Sequence, residues 1–298
     1  MGGRDVARQL GRVGVWSNTF ERFPNAKAGE LARLVESLGF GALWCPESLG
    51  SKEVFAQSAL LLAATSRIVV APGIANIFAR DAVAMANGAR ALGEAFPGRF
   101  VLGLGVSHAP AVGARGGRYR RPVATMAAYL DAMDKAPTTF SGAALPPRLL
   151  AALGPRMLAL AAGRADGAHP YFMPIEHTRI ARAALGPEAC LAVETACVLE
   201  TDPVTARRVA RTYTGRYLGL ANYANGLRRI GWADADLAGE GSDRLVDALV
   251  AWGDVARVRE HVAAHHAAGA DHVCVQVLTA AWPEPPVAEY TALARALL

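Results

Sequence analysis

Short apolar runs alternate with longer amphipathic stretches from one end of this chain to the other, and that alternation leaves few folds open. Parallel strands must be joined by a crossover, and a helix supplies one, so repeated strand-helix units dictate a parallel sheet covered by helices. Strand candidates are Arg12–Ser17, Gly41–Glu47, Arg67–Ile74, Arg99–Val106, Arg148–Ala152, Gly167–Phe172, Cys190–Leu199 and His272–Leu278. Helices are expected at Lys27–Leu38, Val54–Ala64, Asp81–Phe96, Pro122–Met133, from Gly154 onward, and at Ile175–Leu185, Val255–Ala268 and Val287–Leu297. In the first of these, Leu31, Leu34, Val35 and Leu38 share one face, and Gly39 ends it. A Pro/Gly-rich stretch follows Met133. Eight such units predict an α/β chain closed into a TIM (β/α)8 barrel, one domain over residues 1–298. The exception is Pro203–Gly253, rich in Arg, Tyr and Asn and without a strand candidate, which is expected to be a helical insertion near the barrel mouth.

With 52% hydrophobic residues against 19% charged, the chain can bury a sizeable core, which excludes a disordered class. A net charge of +5 arises from 31 basic residues offset by 26 acidic ones spread along the chain, a pattern that argues against a nucleic-acid partner. One basic run, Gly113–Arg121, reads either as a solvated loop or as an attractor for an anionic cofactor tail or substrate. Cys45, Cys190, Cys197 and Cys274 fit neither a metal spacing nor a disulfide framework and are expected as reduced core residues of a cytoplasmic protein. The N-terminus lacks an apolar signal region and no run is long enough to span a membrane, so no membrane partner is expected.

Barrel chemistry gathers at the C-terminal ends of the strands. There the sequence places Trp16, Glu47, Ser48, the segment Gly73 to Asn76, Ser107 and His108. His108 emerges from small and apolar residues and is the expected general acid or base, with Glu47 as a second acid/base or a ligand-positioning group. Trp16, Phe78 and Tyr171 are expected to line a substrate pocket with Ser48, whereas Trp44 reads as core. Gly103 and Gly105 lack the third glycine and the immediate helix of a dinucleotide fingerprint. Gly154-Pro155-Arg156 opens a helix, whose N-terminus attracts phosphate. His261 and His265 share a helix face, but Val262 stands where a zinc protease has glutamate, so the pair is expected in solvent and no metal is expected.

The segment from Arg67 to Pro110, RIVVAPGIANIFARDAVAMANGARALGEAFPGRFVLGLGVSHAP, resembles the luciferase-like monooxygenase superfamily, in particular its actinobacterial coenzyme F420-dependent branch. Weaker similarity covers nearly the whole chain. The resemblance implies a flavin-type cofactor at the strand ends: coenzyme F420, with FMN as the alternative. It implies a non-proline cis peptide at Gly73-Ile74 behind the cofactor ring, Asn76 and Ser107 nearby, and Leu153, Gly154 and Pro155 against the cofactor's side chain or phosphate. Glu47 and Ser48 fall where sugar-phosphate dehydrogenases of the family carry an acid-histidine pair, and His108 where they carry glutamate. Tyr171 to Pro174 lacks their basic residue, so the resemblance speaks for the cofactor more than for a substrate. It further implies hydride transfer at the deazaflavin C5 to or from a small organic substrate, and a homodimer. A reductase partner would be needed in an FMN monooxygenase using reduced flavin and oxygen. A non-catalytic cofactor-binding protein is the alternative of another class.

Overall fold

The computed structural model describes residues 2–139 and 144–298; part of the Pro/Gly-rich stretch after Met133 lies outside them. Ten strands form one sheet: β1 Val13–Trp16, β2 Ala42–Cys45, β3 Val69–Pro72, β4 Ala75–Asn76, β5 Leu102–Gly105, β6 Arg148–Leu150, β7 Gly167–Ala168, β8 Cys190–Val198, β9 Val250–Trp252 and β10 His272–Val277. Their order is β3-β2-β1-β10-β8-β7-β6-β5-β4, and each pairing is parallel. β4 continues β3 beyond Gly73-Ile74, and a bridge from Val70 to Phe100 joins the β3 and β5 sides. Counting β3 and β4 as one stave, the eight expected strands close the barrel. The expected helices are present with ends shifted by at most two residues, and Asp81 caps its helix by accepting from the amides of Val83 and Ala84.

Burial on both faces explains why the strands read as continuous apolar runs. All nine residues of β8 are buried: Cys190 and Ala192 point into the barrel, and Leu191, Val193 and Cys197 point to the helices. The large core lies between barrel and helices, and a smaller one fills the barrel around Trp16, Trp44, Val69, Val101 and Leu149.

The structure adds one element and corrects one reading. An N-terminal helix, Gly3–Leu10, precedes the first strand and buries Val6 and Leu10 in the barrel's interior core. The stretch from Pro203 to Gly253 is largely helical, at Pro203–Leu218, Ala221–Arg229, Asp234–Leu237 and Asp243–Leu249, but it also contains β9. That strand pairs with the upper half of β8, where Ala196 faces Val250, beyond the point at which β7 stops. Its three residues follow directly on a helix, too few to show a period of two. The inserted helices form a third core with Phe172, Met173, Ala196 and Val198, seated on the C-terminal side of the strands.

Candidate functional site

A cavity of about 710 Å³ opens at the C-terminal ends of β1, β2, β3, β5, β6 and β7. It brings together Trp16, Glu47, Ser48, Gly73, Ile74, Ser107, His108, Leu153, Gly154, Pro155 and Tyr171 from distant parts of the chain. The Gly73-Ile74 peptide is cis, as the family resemblance implied. The glycines of β5 exist for this segment: a methyl group at Gly103 would lie 2.0 Å from the Pro72 carbonyl oxygen, and one at Gly105 would lie 2.5 Å from the Ile74 side chain. Close backbone approach, not nucleotide binding, is what this Gly-Leu-Gly sequence serves.

Asn76 and Phe78 are not part of the cavity wall. Asn76 is buried in β4, where its side-chain oxygen accepts the Phe78 amide at 2.9 Å. The turn that follows, from the Ala79 amide to the Asn76 carbonyl, carries Phe78 onto the core beneath the helices. Glu47 reaches the wall, but both of its oxygens are engaged. Oε2 accepts the Asn76 amide at 2.7 Å and Arg80 Nη1 at 3.1 Å, while Oε1 pairs with Arg80 Nη2. Its side chain is 4% exposed, so it ties the end of β2 to β4 and is poorly placed to exchange protons.

Ser107 has φ +57°, a left-handed conformation that is uncommon outside glycine, and this turn directs His108 into the cavity. His108 Nδ1 lies 2.9 Å from Asn222 Oδ1. An amide oxygen can only accept, so Nδ1 carries the proton and Nε2 keeps its lone pair. Burial pushes the imidazole below the usual histidine range, against a smaller opposing effect of the Asn222 hydrogen bond.

The cavity has a cationic end. Gly154 is the N-cap of the Pro155–Arg164 helix, and a methyl group there would lie 3.4 Å from Arg229 Nη1. Arg156 and Arg229 both line the cavity, and among the described residues neither is paired with a carboxylate. A helix N-terminus flanked by two unpaired guanidiniums suits a phosphate. The same region gains nothing direct from Gly113–Arg121 except Tyr119, which lines the wall; Arg115 donates to the Ser48 carbonyl at 3.4 Å.

The opposite wall is aromatic and was not foreseen residue by residue. Tyr217 and Tyr223 come from the inserted helices and stand beside Tyr171, with ring centroids 5.1 and 6.1 Å from it. The available signal was Tyr213 and Tyr217 at i, i+4, a spacing that puts both on one helix face. His169 was also missed. It lies at the cavity floor, stacked on Trp44 at 4.2 Å, donating from Nδ1 to the Ala192 carbonyl and pushed by burial down to about 4. Trp44 is core, as expected.

His261 and His265 are not solvated side chains. His261 Nε2 bonds Thr195 Oγ1 at 3.1 Å, and His265, buried, bonds Thr178 Oγ1 at 2.9 Å. Their helix leans this face on the barrel, where burial pushes them to about 4 and about 3. No group of metal-ligating side chains occurs among the described residues, and no described helix is long and apolar enough to cross a membrane. All four cysteines are buried and free.

The model of the luciferase-like monooxygenase family matches residues 9–272. The chain belongs to that family. Among curated members, it is 26% identical to a Mycobacterium tuberculosis protein whose name assigns it as a coenzyme F420-dependent oxidoreductase, over 93% of this chain and 96% of the relative. It is 27% identical to the 5,10-methylenetetrahydromethanopterin reductase of Methanolobus tindarius, over 54% of this chain and 56% of that protein's length. Two solved structures share the luciferase-like barrel. An F420-dependent secondary alcohol dehydrogenase in complex with an F420-acetone adduct matches with a TM-score of 0.74 at 15% identity, over 96% and 97% of the two chains. The oxygenating constituent of 3,6-diketocamphane monooxygenase from Pseudomonas putida, in complex with FMN, matches with 0.70 at 15%, over 95% of each.

Proposed function

We propose that this luciferase-like protein is an F420-dependent oxidoreductase that transfers hydride between the deazaflavin C5 and a small organic substrate. The observation that carries this reading is the polarity of one cavity: a neutral histidine base at one point, an aromatic wall beside it, and two unpaired arginines at a helix N-terminus elsewhere on its rim. At about 710 Å³ the space suits a tricyclic ring together with a small substrate. The residues present therefore fit a deazaflavin. The apolar surface around Ile74 and Val106 would take the ring, Ser107 and Leu153 its polar edge or side chain, and Gly154, Arg156 and Arg229 its phosphate.

When bound, the cofactor supplies or accepts two electrons as hydride. The chain supplies alignment and proton handling. Trp16 and Tyr171, with rings 5.0 Å apart, hold the substrate against the reacting face, and the inserted helices exclude water from it. His108 Nε2 takes the hydroxyl proton when an alcohol is oxidised, while Asn222 holds the ring in the tautomer this needs. Glu47 anchors the wall from which Ser48 faces the substrate.

FMN is the second reading, favoured by the likeness to an FMN complex and by a phosphate site that would serve either cofactor. In that case reduced FMN from a partner reductase would react with oxygen. The test is an anaerobic screen for reoxidation of reduced F420 by enones, imines and ketones, and for reduction of F420 by alcohols. Turnover that the His108→Ala exchange abolishes supports the proposal. Turnover only with reduced FMN and oxygen supports the second reading. Tight F420 binding with no turnover across the panel would identify a non-catalytic carrier.

A further inference from the structure

The cavity floor holds one hydrogen-bond donor and one acceptor that nothing among the described residues satisfies. Trp16 ends β1 and is 3% exposed; His169 follows β7 and is 1% exposed. Both residues line the cavity, and the Trp16 indole Nε1 and the His169 Nε2 are each without a hydrogen-bond partner among the described residues. They converge on Gly73, which follows β3: a methyl group there would lie 2.6 Å from Trp16 Nε1 and 3.3 Å from His169 Nε2. β1, β3 and β7 are not neighbours in the sheet, so this point lies toward the axis of the barrel. A side chain at Gly73 would close it.

Both rings are held in place, and the role of each nitrogen is fixed. His169 Nδ1 donates to the Ala192 carbonyl at 2.9 Å, so Nε2 presents only a lone pair. The imidazole is stacked on Trp44, whose own indole donates to His272 Nε2 at 3.1 Å. The chain just beyond His169 is tied to β8: the Glu194 amide donates to the Pro170 carbonyl at 3.1 Å, and the buried Glu194 carboxyl accepts the Phe172 amide at 3.0 Å. The Trp16 N–H can only donate. Its ring rests on Tyr171, which donates to Gln276 Oε1 at 2.9 Å.

We propose that Trp16 and His169 form a subsite for one hydroxyl group of the substrate, separate from the oxygen that His108 serves, so that the substrate is a diol or a hydroxy-carbonyl compound. The proposal rests on the hydride-transfer reading and narrows its substrate. Trp16 packs on Tyr171, Tyr171 on Tyr223 and Tyr223 on His108, at 5.0, 6.1 and 5.3 Å between ring centroids, so two tyrosine rings separate the pair from His108. A hydroxyl accepts from Trp16 and donates to His169 through a single oxygen, as convergence on one point requires. A carboxylate, ether or carbonyl oxygen only accepts and meets the His169 lone pair; an ammonium only donates and meets the indole N–H. Pushed by burial down to about 4, His169 is neutral at pH 7 and offers an anion no charge. A buried polar group left without its partner is costly, so the pair discriminates against a substrate that lacks the hydroxyl.

NMR of the full chain, isotopically labelled in its Trp and His nitrogens and free of cofactor, tests the subsite without turnover. The two resonances are assigned by their loss in Trp16→Phe and His169→Phe. Cyclohexanol should shift both the Trp16 Nε1–H and the His169 Nε2 resonances, whereas methoxycyclohexane and cyclohexanone should shift Trp16 alone. With F420, at least one diol of a panel that includes 1,4-cyclohexanediol should exceed its own monomethyl ether by about tenfold or more in kcat/KM. Trp16→Phe and His169→Phe should each bring that ratio to within about twofold. Cyclohexanol that moves neither resonance, or methoxycyclohexane that moves His169 as far, overturns the subsite. If F420 alone moves both resonances and cyclohexanol neither, the pair holds the imide edge of the cofactor ring instead. A panel in which no diol exceeds its ether, or a preference that survives both exchanges, also overturns the proposal. Cyclohexanol shifts of both resonances in a protein that binds no F420 would overturn the hydride-transfer reading and leave the hydroxyl subsite standing.

Discussion

Removing the two guanidiniums beside Gly154 should weaken binding of a phosphate-bearing cofactor by an amount set by their exposure. Arg156 and Arg229 are both solvent-exposed. A unit charge about 4 Å from a phosphate oxygen is worth roughly 1 kcal/mol in water and about 4 kcal/mol at an effective dielectric of about 20. Exposed side chains sit near the lower figure, so each Arg→Ala exchange should cost about 1 kcal/mol, or about fivefold in Kd. The double variant should lose about 25-fold at low salt if the two act independently. That loss should shrink as added salt contracts the Debye length from about 10 Å at 0.1 M toward about 3 Å at 1 M. The assay is quenching of cofactor fluorescence, run with F420 and with the same deazaflavin chromophore lacking its phosphate-bearing side chain. The truncated ligand should bind both proteins equally. Equal losses for the two ligands, or a loss indifferent to salt, would refute the assignment of this end of the cavity to an anion.

Three further outcomes follow from the same geometry. Asn222→Ala removes the hydrogen bond that raises His108, so the histidine titration followed by NMR should move to lower pH, and the acidic limb of alcohol oxidation should move with it. Gly103→Ala would force a methyl group against the Pro72 carbonyl oxygen, 2.0 Å away, and the resulting shift of β5 should destabilise the chain by about 1–3 kcal/mol in denaturant titrations. Glu194 keeps its proton to about pH 8 in the fold but releases it near pH 4 in the unfolded chain. Stability should therefore be greatest below the lower value and decline by roughly 5 kcal/mol between the two, levelling off once pH has passed the upper one, a decline that Glu194→Gln should flatten.

The barrel was legible because its strands are buried on both faces and its helices on one, and burial is what writes apolar runs and periods into a sequence. Trp16, Glu47, Gly73, Ser107, His108 and Gly154 could be assigned to one mouth because topology places every strand end there. Direction was harder. Asn76 ends the short strand β4 and is buried in it, and the turn from Asn76 to Ala79 carries Phe78, just past that strand, away from the cavity. Glu47 has the composition of an acid/base group, yet its role is fixed by Arg80, thirty-three positions on, which no local pattern reveals. Tyr217, Tyr223 and Asn222 come from an insertion whose path over the mouth depends on packing against Phe172 and β8, and Glu194 is a lone acid in an apolar strand whose neighbours only the fold supplies. Such groups meet across long sequence separations, which is why the aromatic wall and the buried carboxyl were invisible before the fold was.

Titration of the purified chain with coenzyme F420 and separately with FMN, followed by fluorescence at low ionic strength, bears most directly on the central claim. The account predicts micromolar or tighter binding of F420, weak binding of FMN, and loss of F420 affinity in the Arg156→Ala, Arg229→Ala double variant. Tight FMN binding with weak F420 binding, or binding of neither, would contradict it.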